Sequence, residues 1–178
     1  IKPRAGEVKR ILVFFGGVDV DNYTSLAIEA LAAMNILGHV DVVIGTQHPY
    51  REQIQNTCIA HGYVCHVQVT RMAELMAEAD LAIGAGGSAN WERCAMGLPS
   101  LIVVIAENQN KAAVDLDRAG VLINLGNARQ IKKTDLVYAI EKLFIDEHLR
   151  TKLSNTSLRL VPIQKQNELV ELLIGNYV

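Results

Sequence analysis

Leu81-Ala82-Ile83-Gly84-Ala85-Gly86-Gly87-Ser88-Ala89-Asn90-Trp91-Glu92 is the stretch whose reading decides the fold. An apolar triplet runs into a Gly-rich turn, and the turn runs into a segment that opens on a serine and carries a carboxylate one turn later. Strand, tight turn and helix in this order form the repeating unit of a parallel α/β sheet. Glycine lacks a Cβ, so the turn can adopt positive φ and bring backbone N–H groups close to a ligand. A helix entered at Ser88, with Ser88 as its cap, adds unpaired N–H groups and the positive end of its dipole, which together suit a phosphate. The dipole contributes only about 0.3–2 kcal/mol, so other groups must supply most of the affinity.

Outward from this unit the same alternation continues. Short Val- and Ile-rich runs predict strands over Ile11–Phe15, Val40–Ile44, Val64–Val69, Leu81–Ile83, Leu101–Ile105 and Val121–Leu125. Such continuous apolar runs belong to strands covered on both faces. The intervening segments have helical period. Leu26, Ala30, Leu31 and Met34 line one face of the first, and Pro49 opens Tyr50–His61, which Gly62 closes. From Thr134 onward only helices are expected, over Asp135–Phe144, Asp146–Ser154 and Ile163–Leu173, covering the edge of the sheet. The expected fold class is therefore α/β, a Rossmann-like doubly wound parallel six-stranded sheet with C-terminal helices. The polar lead before residue 10 reads as an interdomain linker, and residues 10–178 as one nucleotide-binding domain.

A second Gly-Gly turn, Phe15-Gly16-Gly17-Val18-Asp19, follows the first strand. In the strand order 3-2-1-4-5-6, strands one and four are neighbours whose connections leave to opposite sides, opening the crevice where such sheets bind ligands. Both Gly-rich turns are thus expected to face one cleft. Glu92 suits a neutral target with two hydroxyl donors, such as a ribose diol, because it would repel a phosphate aimed at directly. Alternatively it only stabilises the helix start. Asn108 and Gln109, in the loop after the fifth strand, can donate and accept, and so could read sugar hydroxyls or phosphate oxygens. Gly84 to Ala89 also satisfies the dinucleotide fingerprint GxGxxG/A, with Glu107 near the position of its ribose-binding acid, which keeps an NAD-binding reading open.

Other classes are disfavoured. The chain has 178 residues, half of them hydrophobic, and 17 basic against 19 acidic residues give a net charge of -2. No block of like charge offers a footprint for nucleic acid. No apolar run approaches the roughly 20 residues of a membrane helix. Cys58, Cys65 and Cys94 are odd in number without CxxC spacing, which points to reduced thiols in a cytoplasmic protein. Cys58, His61, Cys65 and His66 are divided by a helix end and a strand, so no metal site is expected. A receiver-like module lacks its acceptor Asp at Val69-Thr70.

The run Met72 to Ser88, followed by Trp91-Glu92-Arg93-Cys94 and Gly97-Leu98-Pro99, closely resembles the UDP-sugar hydrolases of pseudaminic acid biosynthesis, the PseG/SpsG family. Ile11 to Asn22 and the pair Asn108 and Gln109 match as well, so the likeness spans roughly residues 8 to 126. The resemblance implies the C-terminal lobe of a GT-B fold, with UDP or a UDP-sugar as ligand and a separate N-terminal lobe as partner. It implies hydrolysis of UDP-2,4-diacetamido-2,4,6-trideoxy-β-L-altropyranose, with no cofactor. By position, Gly86, Gly87, Ser88 and Ala89 would face the diphosphate and Glu92 the ribose. Asn108 and Gln109 would reach the distal phosphate or sugar, the backbone near Met72 the uracil, and Gly16 and Gly17 would line the cleft. Two departures are Ala89, where a hydroxyl is common, and Val18, where a small polar residue is common. The family's catalytic histidine lies in a GHxxR-type motif of the other lobe. Gly38-His39 is followed here by Val40-Asp41-Val42, so His39 reads as a helix-end residue and no catalytic residue is expected in this chain.

Overall fold

The computed structural model describes residues 2–36 and 38–161. Six strands form one parallel sheet: β1 (Arg10–Phe14), β2 (His39–Ile44), β3 (Val64–Val67), β4 (Leu81–Ala85), β5 (Ser100–Val104) and β6 (Ile123–Asn127). Their order is β3-β2-β1-β4-β5-β6, the expected doubly wound arrangement. The helices are α1 (Tyr23–Ala33), α2 (Arg51–His61), α3 (Met72–Glu78), α4 (Ala89–Ala95), α5 (Asn110–Arg118), α6 (Lys133–Ile145) and α7 (Glu147–Leu160).

Side-chain alternation along the strands builds one large core on one face of the sheet and two smaller ones on the other. Ile11, Val13, Val40, Val42, Leu81, Ile83, Leu101 and Val103 face α1, α2 and α6. Leu12, Val43 and Ala82 face α3, while Ile102 and Val104 face α5. The inner strands β1, β2, β4 and β5 thus bury both faces and read as nearly continuous apolar runs, whereas the edge strands β3 and β6 are only partly buried.

Several expected boundaries move. Gln68 adopts φ 55°, ending β3 at Val67. β4 runs two residues further than expected, to Ala85. The sixth strand was expected over Val121–Leu125, but Gly120 (φ 71°) turns the chain so that Val121 and Leu122 bury against α5 and pairing begins at Ile123. His39 opens β2, opposite Arg10, and so is not a helix-end residue. The C-terminal helices do more than cover an edge. Leu136, Ala139, Ile140 and Leu143 of α6 join the larger core. α7 ties the far end of the sheet through Ser154 Oγ, which donates to the Gly97 carbonyl at 2.5 Å, and Ser157 Oγ, which donates to that of Val121 at 3.0 Å. The helix expected over Ile163–Leu173 lies outside the described residues. Residues 4–9, read as a linker, are hydrogen-bonded to the domain: Arg4 N–H donates to Ser154 Oγ at 2.8 Å, Gly6 N–H to Glu147 at 2.9 Å and Lys9 N–H to Asp80 at 2.8 Å.

Candidate functional site

β1 and β4 are central neighbours, and their C-terminal ends carry the two Gly-rich turns. A cavity of about 280 Å³ opens between them, lined by Phe14, Phe15, Gly16, Gly17, Ala85, Gly87, Ser88, Ala89 and Gln109. The structure therefore brings Gly16, Gly17, Gly87, Ser88, Ala89 and Gln109 to one cleft. A larger depression of about 680 Å³ lies beside Gly6–Lys9 and Phe144–Arg150, away from the strand ends where sheets of this class bind ligands.

The glycines of the β4 turn serve close approach, and the expectation of positive φ fails there. Positive φ occurs at Gly16 (99°), in the other turn. A Cβ on Gly84 would lie 2.1 Å from the Phe14 carbonyl oxygen and 2.9 Å from an Arg93 nitrogen. Gly86 donates its N–H to the Val103 carbonyl at 3.1 Å, extending the sheet, so that amide is occupied. The N–H groups of Gly87, Ser88 and Ala89 have no hydrogen-bond partner among the described residues. Three successive free amides make an anion seat. Ser88 is not the expected side-chain cap. Its backbone is already helical (φ -56°, ψ -30°) and its hydroxyl makes no capping bond.

Gln109 belongs to a short 3₁₀ turn, Glu107–Gln109, that follows β5. Its Oε1 accepts the Ile105 N–H at 3.1 Å, which leaves Nε2 as the donor beside Gly87. Asn108 is exposed and lines a different groove, with Trp91, Lys111 and Asp115, so the adjacent amides do not converge. Glu92 is exposed in the first turn of α4, and its carboxylate has no partner among the described residues. Met72 begins α3 and packs against the same small core as Phe14 and Ala89 of the cleft lining, without lining the cleft itself.

Three further residues shape the site. Arg93 is 2% exposed and has no carboxylate partner among the described residues. Its Nη2 donates to the Ala85 carbonyl and to Asn90 Oδ1, both at 2.6 Å, pinning the base of the turn from below. Burial brings its pKa down to about 10, so it stays charged at neutral pH. Gly45 N–H donates to the Gly17 carbonyl at 2.9 Å, and a Cβ on Gly45 would lie 2.4 Å from that oxygen. Asp19 is buried and accepts from the Thr24 N–H and Thr24 Oγ1, both at 2.7 Å, with His48 Nε2 at 3.7 Å. Asp19 was legible as a helix-start residue ahead of α1. Gly45 and Arg93 carried no such signal, since an arginine on a short helix reads as solvated.

Elsewhere the polar clusters are structural. Asp41 is 1% exposed at its side chain and accepts from Arg10 Nε at 2.6 Å and faces His66 Nε2 at 2.6 Å and His39 Nε2 at 3.1 Å. Cys58 is buried and Cys65 half-buried, both as free thiols, and His61 lies against Tyr63 with ring centroids 5.7 Å apart. Among the described residues no helix is long and apolar enough to cross a membrane.

A parallel sheet in this order, with free amides at the switch between β1 and β4, defines a doubly wound nucleotide-binding domain, the class to which the C-terminal lobe of the GT-B architecture belongs. The chain belongs to the glycosyltransferase family 28 C-terminal domain family, whose model matches residues 10–168. It is 28% identical over 153 residues to the spore coat polysaccharide biosynthesis protein SpsG of Bacillus subtilis, a match covering 83% of this chain and 44% of that protein. Among solved structures, MurG of Acinetobacter baumannii superposes with a TM-score of 0.71 at 19% identity, covering 86% of this chain and 46% of MurG. Anabaena Alr3699/HepE, solved in complex with UDP-glucose, gives a TM-score of 0.69 at 14% identity, covering 94% and 49%. The chain spans less than half the length of each of these proteins.

Proposed function

We propose that this lobe holds the UDP of a UDP-sugar, and that the enzyme it belongs to hydrolyses UDP-2,4-diacetamido-2,4,6-trideoxy-β-L-altropyranose in pseudaminic acid biosynthesis. In that reaction water adds at the anomeric carbon, the bond from that carbon to the β-phosphate oxygen breaks, and UDP leaves with the electron pair. The carrying observation is the set of free amides at Gly87, Ser88 and Ala89, facing Gly16 and Gly17 across the cleft beneath the Gln109 amide. These groups suit the leaving diphosphate, whose developing charge they stabilise. Met72 and its backbone flank the uracil, and Glu92 accepts from the ribose hydroxyls. No residue here is assigned to activate water. The second lobe supplies that base.

The resemblance of the motif run from Met72 to Pro99 to the UDP-sugar hydrolases favours hydrolysis, and likeness to SpsG favours a role in polysaccharide biosynthesis. Family 28 membership and the MurG-like fold equally fit a donor lobe that passes the sugar to an acceptor. Release of UDP by the two-lobed enzyme without any acceptor separates these readings. For NAD, Glu107 stands beside the neighbouring strand, as a dinucleotide site requires, but Gly86 spends its amide on β5 and the fingerprint follows the fourth strand.

Glu92 provides the test, because its free carboxylate can be removed without touching the fold. Calorimetric titration of the chain should show UDP binding more tightly than ADP or NAD, with Glu92→Ala weakening UDP about tenfold, the worth of one charge-assisted hydrogen bond. Unchanged UDP affinity in the variant, or NAD binding as tightly as UDP, contradicts the proposal.

A further inference from the structure

One strand along from the anion seat, a second cavity of about 280 Å³ opens on the same sheet edge. Its walls are Tyr23 at the start of α1, Ile105, Ala106 and Glu107 after β5, and Asn127 and Arg129 after β6. The two cavities flank one loop. Gln109 lines the first, and its Oε1 grips the Ile105 N–H that borders the second. Phe15 of the first and Tyr23 of the second lie with ring centroids 6.4 Å apart. Neighbouring strands are separated by about 4.8 Å, so a group attached to a diphosphate on Gly87–Ala89 reaches this recess within one ring's length.

The recess carries a mixed set of hydrogen-bonding groups. Arg129 and Glu107 are exposed, and neither side chain has a hydrogen-bond or ion-pair partner among the described residues. Asn127 spends its Oδ1 on the Arg129 N–H at 3.0 Å, which fixes the segment bearing Arg129. Burial, then Asp21, pushes the Tyr23 phenol above its ordinary pKa although Arg129 opposes this, so the hydroxyl is a protonated donor at neutral pH. Two donors and a carboxylate acceptor around a one-ring volume suit a polyhydroxylated or amide-bearing ring. A second phosphate would meet Glu107.

We infer that the recess formed by Tyr23, Glu107 and Arg129 is the subsite that reads the sugar ring of a nucleotide sugar, with Arg129 and Tyr23 donating to its oxygens and Glu107 accepting from its hydroxyl or amide N–H. The assignment rests on the proposed nucleotide-sugar reading of the neighbouring cleft and extends it to Glu107 and Arg129, whose side chains have no partner among the described residues, and to the hydroxyl of Tyr23, whose ring packs on the larger core.

The test compares UDP with UDP-N-acetylglucosamine on the 178-residue chain, by calorimetry and by backbone amide NMR. Both ligands should shift the amides of Gly87 to Glu92, and only the sugar nucleotide should shift those of Tyr23, Glu107 and Arg129. Arg129→Ala and Tyr23→Phe should each weaken the sugar nucleotide about five- to tenfold, as expected for a lost hydrogen bond to a charged or phenolic donor, while leaving UDP unchanged. Indistinguishable shifts from the two ligands overturn the subsite, as do variants that weaken both ligands equally. Failure of UDP to bind the unaltered chain instead overturns the nucleotide reading on which the subsite depends.

Discussion

Alanine at Gly84 and at Gly87, three residues apart, should separate what the β4 turn does for the fold from what it does for a ligand. At Gly84 the new methyl would sit 2.1 Å from the Phe14 carbonyl oxygen, against an ordinary contact of at least 3.4 Å. The obstacle is backbone on one side and the buried Arg93 on the other, so relief requires β1 and β4 to separate by more than an ångström at the centre of the sheet. Overpacking a core costs about 1–3 kcal/mol, and with a rigid backbone as the obstacle the upper end applies. For a domain of this size about 3 kcal/mol lowers Tm by roughly 6–12 °C. At Gly87 the nearest atom to a Cβ is Gln109 Nε2 at 3.6 Å, an unstrained distance, and φ is not positive. Gly87→Ala should therefore fold with unchanged or slightly raised stability, since it restricts the unfolded chain by about 0.4–1 kcal/mol. Its methyl, however, occupies the floor of the cleft between the free amides and the Gln109 donor. A phosphate held by N–H groups cannot approach past it, and UDP affinity should fall about tenfold or more. Differential scanning calorimetry and UDP titration on both variants check the pair. Equal destabilisation of the two, or full UDP affinity in Gly87→Ala, would refute the reasoning.

Asp41 ties stability to acid. Its burial alone would raise the carboxyl's pKa, but hydrogen bonds from Arg10, then His66 and His39, hold it below the usual aspartate value. A lowered folded-state pKa contributes stability that is complete above the unfolded value of about 3.9 and is lost as pH falls through the folded one. Urea denaturation should thus show a stability loss below about pH 4 that is smaller in Asp41→Asn, which itself costs about 1–3 kcal/mol at neutral pH by weakening the charged hydrogen bond from Arg10, whose other arm keeps Glu78. Arg93→Met deprives the Ala85 carbonyl and Asn90 Oδ1 of their donor in a dry interior, so stability measured by the same denaturation should fall by about 2–3 kcal/mol. Among the thiols, the hydrogen bond from Cys58 lowers the pKa of half-buried Cys65, while Cys58 and the buried Cys94 are pushed up, the former chiefly by that bond and the latter by burial. Iodoacetamide should modify Cys65 first, as read by peptide mass spectrometry.

The sheet was legible because a strand buried on both faces is apolar at nearly every position: β4 is so throughout, β5 after Ser100, and β2 apart from His39 and Asp41. Gly62 and Gly97 mark helix ends through positive φ that other residues rarely adopt. The sixth strand was misplaced by two residues because burial in Val121 and Leu122 comes from helix contact, and periodicity cannot tell the two kinds of burial apart. At the site, the turns themselves were visible, whereas their supports were not. Gly45 works through a contact between loops about thirty residues apart in sequence, and Arg93 through a carbonyl eight residues earlier that only the fold brings beneath it. Asn108 and Gln109 looked equivalent on paper. A 3₁₀ turn rotates one toward the cleft and the other into a separate groove.

That rotation bears on how the lobe handles charge. The cleft presents neutral donors, three amides and one carboxamide, with no charged side chain in its lining, and the positive charge of Arg93 is sealed behind the turn. Arg93 cannot leave, be screened by salt or pair with a phosphate, since it is 2% exposed and committed to Ala85 and Asn90. On the proposed reading, a diphosphate seated here gains stabilisation without a tight ion pair, which suits a leaving group that must depart after each cycle. Neutral amides also leave the seat's strength nearly independent of pH across the neutral range. A UDP titration of this chain at pH 6 and pH 8 tests the point directly. Affinities that track the nucleotide's own phosphate ionisation, and nothing more, are expected; a further proton linkage would mean that a titratable side chain of this lobe enters the cleft on binding.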